Sequence, residues 1–230
     1  MMVRSLPFVL SVIAGATDII GVLGLNGLFT AHITGNLVLL AAHVVAGTRV
    51  IVSYVLSVPV FMLVLLAAGV IARSIERSGR ASLQPLLRLQ LLALMVFFLL
   101  SVTAGPWTDP DALLAIIAGM CGVAAMAVQN ALAQVALKNT PTTAVMTTNI
   151  TRLMLDLGVV LVGGNATDVA SAKRRALDTL PVVVGFVIGC ALGAAGESAM
   201  GMWSLMLPTA LALFSCVSVT TPSVDVGQSQ

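Results

Sequence analysis

An all-α bundle that crosses a membrane several times is the predicted fold, and three observations predict it. The chain of 230 residues is 59% hydrophobic. Only 9% of its residues are charged, against about 25% in a soluble domain. Its apolar residues gather in runs that reach or approach the ~20 needed for a helix to cross the hydrocarbon core. So little charge cannot clothe a globule in water, so the lipid bilayer is the expected solvent and first partner. The apolar–polar alternation of membrane β-strands is absent.

Six runs read as full spans: residues 6–25, 50–72, 86–105, 112–137, 177–196 and 199–219. The first has Arg4 before it and an A-x-A at Ala14 and Ala16. It continues to Leu25 without a polar cleavage region, so it reads as a retained span and not as a signal peptide. Pro59 is expected to kink the second span. Two further stretches fit less well. Residues 31–46 are short and carry His32, Asn36 and His43, and residues 143–163 carry Thr147, Thr148, Asn149, Arg152 and Asp156. A central Arg or Asp costs ~2.5–3.5 kcal/mol on insertion scales.

The positive-inside rule arbitrates. If all eight stretches span, the basic residues other than Arg152 divide evenly between the two faces. If 31–46 and 143–163 dip in and return, the balance changes. Arg4, Arg73, Arg77, Arg80, Arg88, Lys138, Lys173, Arg174 and Arg175 then share one side, and Arg49 alone faces the other. The reading is therefore six spans plus two re-entrant or broken helices, with both termini cytoplasmic. Trp107 and Trp203 fall at the outer interface, and Asp109 and Asp111 fall in an outer loop. Residues 73–88 and 164–176 form cytoplasmic loops, and 221–230 form a disordered tail.

The halves echo each other. Ala31-His-Ile-Thr-Gly-Asn-Leu37 resembles Ala144-Val-Met-Thr-Thr-Asn-Ile150, and Thr17-Asp18 aligns with Gln129-Asn130. Half-repeats of 1–105 and 106–220 would each hold a span, a dip and two more spans. Three spans per half invert the second copy, an arrangement common among transporters. The dips would enter from opposite faces, with tips near Thr34–Asn36 and Thr147–Asn149 meeting near the midplane. Irregular backbone at that depth needs burial in protein or a water-filled cavity.

Several residues could carry chemistry. Asp18 lies within the first span, where a carboxylate faces a bundle interior or a cavity. It reads as a proton or cation site, or as a group satisfied by backbone or by Arg152. Arg152 and Asp156, four apart on one helical face, read as a structural ion pair or as a substrate contact. Gln129 and Asn130 are either interhelical glue or solute ligands. His32 could move a proton beside the first tip. Thr34, Asn36, Thr147 and Asn149 can cap exposed backbone or offer oxygens and amides to a solute. Gly185, Gly189 and Gly193 form a stripe for close helix packing, within the bundle or between copies in a homo-oligomer.

Other classes are disfavoured. No basic aromatic surface suggests nucleic acid. Cys121, Cys190 and Cys216 sit in apolar runs without metal spacing, and the spacing of His32 and His43 is not a metal pair, so no metal or cofactor is expected. No G-x-S-x-G, H-E-x-x-H or Walker motif is present, so the chain does not read as an enzyme.

The stretches Ala14-Gly15-Ala16-Thr17-Asp18 and Gly27-Leu28-Phe29-Thr30-Ala31-His32-Ile33-Thr34-Gly35-Asn36 resemble the first signature of the YoaK-like family. Val128-Gln129-Asn130-Ala131, Thr142-Thr143 and Thr151-Arg152-Leu153 with Asp156-Leu157-Gly158 resemble its later signatures. Thr17 stands where that family has an apolar residue, and Thr148-Asn149 stands for a Thr-Gly-type pair. The resemblance implies several spans in a bacterial inner membrane, and it supplies no activity. The residues themselves point to a transporter or channel for a small polar or anionic solute. The alternative is a non-transporting assembly or sensor component.

Overall fold

The computed structural model describes residues 2–105, 109–137, 140–143 and 146–219, with side chains from Ser5 onward. Trp107, Lys138 and the tail 221–230 therefore lie outside the described residues. All regular elements described are helical: α1 Met2–Gly24, α2 Ile33–Val45, α3 Val52–Arg77, α4 Leu83–Ala104, α5 Leu113–Val135, α6 Met146–Val162, α7 Ala166–Met200 and α8 Met206–Ser218. A 3-10 turn, Gly201–Leu205, joins α7 to α8.

Helices α1, α3, α4, α5 and the stretch 166–218 are long and apolar enough to cross a membrane. That last stretch holds two crossings, because it doubles back at Gly201, whose φ is +58°. Trp203 stacks edge-on against Phe98 near the end of α4, while Gln84 at the start of α4 donates to the carbonyls of Cys216 and Val219. Helix α8 thus runs antiparallel to α4, and residues 201–218, the 3-10 turn with α8, complete a sixth long segment of the bundle.

The two short helices do not cross. Helix α2 has 13 residues, about 20 Å at the helical rise, against a core of ~30 Å. Its His43 ring lies 5.6 Å from that of Tyr54 in the first turn of α3. The Tyr54 hydroxyl donates to the Asn26 carbonyl just past α1 at 2.5 Å. Helix α2 therefore emerges on the face that α1 reached. The reversal is made by Asn26 at φ +54° and Gly27 at φ +91°, left-handed positions that these residue types tolerate. Helix α6, of 17 residues, packs on α7 alone among the long helices. It returns to the face where α5 ended and α7 begins.

Two expected loops are shorter than the sequence suggested. Helix α3 runs on to Arg77 and α4 starts at Leu83. Helix α7 starts at Ala166, so 166–176 is a polar helical extension and not a loop. Nothing between Ala166 and Pro181 breaks a helix, and Ala172 and Ala176 are buried. Helices α3 and α7 both continue through their internal prolines, Pro59 and Pro181.

The hydrophobic core is built chiefly from α1, α4 and α5, with parts of α3 and α8, and it is flanked by two close helix contacts, α1 on α7 and α5 on α3. Glycines allow the first contact. A Cβ added at Gly185 would stand 2.8 Å from the Phe8 carbonyl oxygen. One at Gly189 or Gly193 would come within 3 Å of the α1 backbone, and one at Gly15 would overlap the α7 backbone at Phe186. The stripe therefore serves the bundle interior. Other packed pairs include α1 with α8, α5 with α4, α2 with α3, α4 with α8, and α1 with α5.

Candidate functional site

Each re-entrant helix starts inside the bundle, and its first turn leaves N–H groups without intrahelical partners. At the first tip, Asp18 holds the loop that leads into α2. One carboxylate oxygen accepts from the backbone N–H of Thr30 at 2.8 Å and of Ala31 at 2.7 Å. Longer contacts, at 3.4 Å, come from the Thr30 hydroxyl and the His32 N–H. The other oxygen lies 2.6 Å from His32 Nδ1. Asp18 thus pins the loop before α2 from another helix, and its negative charge suits the positive end of the α2 dipole. The His32 ring is held edge-on between Phe29 and Phe186, with centroids 6.3 and 5.4 Å away.

Asn36, on the first turn of α2, is fully buried. Its Nδ2 donates to the Phe29 carbonyl at 2.8 Å, and its Oδ1 accepts the Phe29 N–H at 2.9 Å. The side-chain amide thus takes the place of a neighbouring peptide group and closes the loop that precedes α2.

The second tip repeats the plan with different chemistry. Asn149 is also fully buried, and its Nδ2 donates to the carbonyl seven residues back, that of Thr142, at 2.5 Å. Gln129 joins the loop to the long helices. Its Nε2 donates to the Thr143 hydroxyl and to the Leu10 carbonyl, each at 2.9 Å, and its Oε1 accepts from Gln90 Nε2 at 2.7 Å. Asn130, which the alignment placed opposite Asp18, instead donates to the Met126 carbonyl of its own helix at 3.0 Å. One residue along a helix turns a side chain by ~100°, so Gln129 faces the loop and Asn130 does not.

Three further expectations are corrected. The tips do not meet: the first is level with Asp18 and the second with Leu10, two turns along α1 and so ~12 Å apart. Arg152 and Asp156 form no ion pair among the described residues. Asp156 is claimed by Arg175 of α7, whose Nε and Nη2 approach one carboxylate oxygen at 3.0 and 2.5 Å. A forked guanidinium on a facing helix offers a better two-point match than one on the same helix. Arg152 does not reach Asp18 and is exposed. Thr34 and Thr147 also lie on exposed faces of their helices.

Arg152, Asp156, Arg175 and Asp178 line a crevice of about 450 Å³ with Thr140, Pro141, Leu155 and Thr179. It lies where the second re-entrant loop meets α6 and α7, on the face where α1 starts. Gln90, Thr143, Arg175 and the ring of Phe186 were absent from the sequence-derived set. An amide inside the apolar α4 run could have marked Gln90, whereas nothing local marks the other three. No group of three His, Cys, Asp or Glu side chains that could hold a metal occurs among the described residues.

Residues 6–218 match the model of the family described as "Protein of unknown function (DUF1275)". No curated protein and no solved structure matches the chain.

Proposed function

We propose that this chain, which belongs to the DUF1275 family, carries a small polar or anionic solute across a bacterial inner membrane. The observation that carries the reading is the pair of short helices that begin beside buried polar side chains, one entering from each face. Soluble folds have no need of such segments, and membrane folds keep irregular backbone at depth where protein buries it or it lines a water-filled path, the second being common at transporter sites.

The packing supports an inverted repeat. Exchanging the halves turns α1 on α7 into α5 on α3, α1 on α8 into α5 on α4, and α2 on α3 into α6 on α7. Asn36 and Asn149 make the same seven-residue loop closure. The likeness to YoaK-like proteins and the basic loops support a cytoplasmic-membrane location with both termini inside. In this scheme the crevice beside Arg152 is the cytoplasmic entrance. Asp18 with His32 is an acid–base pair that locks or releases α2 as a proton comes and goes. Asn149, Gln129 and Thr143 lie on the solute's route, and Thr34 and Thr147 line its margins. No enzymatic step is part of this function.

The test is flux in liposomes reconstituted with the full chain. Asp18→Asn should abolish pH-dependent uptake, and Arg152→Ala should weaken uptake of anions more than of neutral solutes. Uptake indifferent to both changes would overturn the reading. Asp18 also favours the second reading, a non-transporting component, because its bonds at the first tip are structural. A partner co-purifying in fixed ratio, with no flux, would decide for that reading.

A further inference from the structure

The two tips share a design and differ in closure. At the first, both polar atoms of the Asn36 amide are used, and a carboxylate covers the free N–H groups of the loop. At the second, Asn149 is 0% exposed, yet its Oδ1 meets no donor among the described residues. The hydroxyl of Thr142 is likewise enclosed and unpartnered, and so is Oε1 of the fully buried Gln90. The three belong to one network. Gln90 bonds Gln129, Gln129 bonds Thr143, and the adjoining Thr142 carbonyl holds Asn149. Where the first half has Asp18, this half has amides, so no resident anion fills the tip.

Buried polar atoms in native proteins are nearly always satisfied, and each exception calls for a group that satisfies it. Here the unsatisfied atoms are two amide oxygens, which can only accept, and a hydroxyl, which can accept or donate, so the missing group carries donors. A route exists. The crevice is lined by Thr140 and Pro141, the two residues before Thr142. Its charged lining of two arginines and two aspartates is balanced in sign. The free N–H groups at the start of α6 disfavour a bare cation at the tip.

We propose that the second re-entrant tip, and not the first, is a ligand site open to the face where α1 begins. Its ligand is a small uncharged molecule bearing N–H or O–H donors, of the amide, urea or polyol class. Asn149 Oδ1, Thr142 Oγ1 and Gln90 Oε1 accept from it. The assignment rests on the transport reading for its purpose and deepens it by naming the occupied tip and the ligand class.

The experiment uses the full chain in membrane vesicles, with Cys121, Cys190 and Cys216 replaced by serine. Thr142→Cys and Thr30→Cys are compared for reaction with 2-aminoethyl methanethiosulfonate, with acetamide or acetone as the competing probe. Because thiol reaction follows access, Thr142→Cys should react at least about tenfold faster than Thr30→Cys. Acetamide, which has donors, should slow it, and acetone, which has none, should not. Equal reactivity of the two positions overturns the one-sided site. Equal protection by both probes, or protection by neither, overturns the ligand class. If either variant fails to fold, hydrogen exchange on the unaltered protein serves instead: residues 140–143 should exchange faster than 28–31 and be slowed by acetamide alone. A reactive, protectable tip in a protein without flux removes the transport reading and leaves the site. Flux through a protein with an unreactive second tip removes the site and leaves transport.

Discussion

Replacing Asp18 tests the architecture at the point where the chain turns back inside the bundle. In Asp18→Ala, the N–H groups of Thr30 and Ala31 lose acceptors now at 2.8 and 2.7 Å. Both lie in a buried setting, and Thr30 is 0% exposed. A hydrogen bond to a charged group is worth about 1.5–3 kcal/mol net, so two give an expected loss of about 3–6 kcal/mol. That is a large part of the ~5–15 kcal/mol that holds a typical fold. Asp18→Asn keeps an oxygen for both N–H groups but forfeits the charge. Neutral bonds are worth about 0.5–1.5 kcal/mol each, so its loss should be about half as large. Unfolding of the purified protein in a denaturing detergent, followed by labelling of the native cysteines, measures both. Hydrogen exchange at residues 30 and 31 shows whether the loss is local. An Asp18→Ala protein within ~0.5 kcal/mol of the parent, the range of a neutral surface change, with unchanged exchange there, would refute the argument that Asp18 holds this loop.

The remaining expectations concern other contacts. Asn36→Ala removes two hydrogen bonds and Asn149→Ala removes one, so the first should cost about twice the second, on the order of 1–3 against 0.5–1.5 kcal/mol, read in the same unfolding assay. Gly189→Ala places a methyl group onto the α1 backbone and should destabilise by about 1–3 kcal/mol. Gly158→Ala meets open space on α6 and should stabilise by up to ~1 kcal/mol through helix propensity. Thermal unfolding separates these two. Arg175→Ala should speed hydrogen exchange along α6, because Asp156 loses its partner, whereas Arg152→Ala should leave that exchange unchanged. Equal effects of the two would restore the pairing of Arg152 with Asp156.

What could be read from the residues was whatever depends on composition along the chain. Lipid is a uniform apolar solvent, so length and hydropathy alone mark a span, and α1, α3, α4 and α5 fall where the apolar runs lie. Charge asymmetry separated the dips 31–46 and 143–163 from spans, because basic residues resist translocation. Asp18, Asn36 and Asn149 stood out because a polar group at depth needs a reason to be there. The partners of those groups were not legible. Whether Asp156 pairs four residues back or across to Arg175 depends on how α6 lies on α7. Whether Gln129 or Asn130 faces the loop depends on the rotation of α5. Helical periodicity says which side chains share a face and is silent on what that face meets. The depth of each tip along α1, the partnering of Asn36 Oδ1 and the lack of a donor for Asn149 Oδ1 are likewise set by packing. Hydrogen bonds act over about 3 Å, and only the folded bundle brings residues distant in the chain that close.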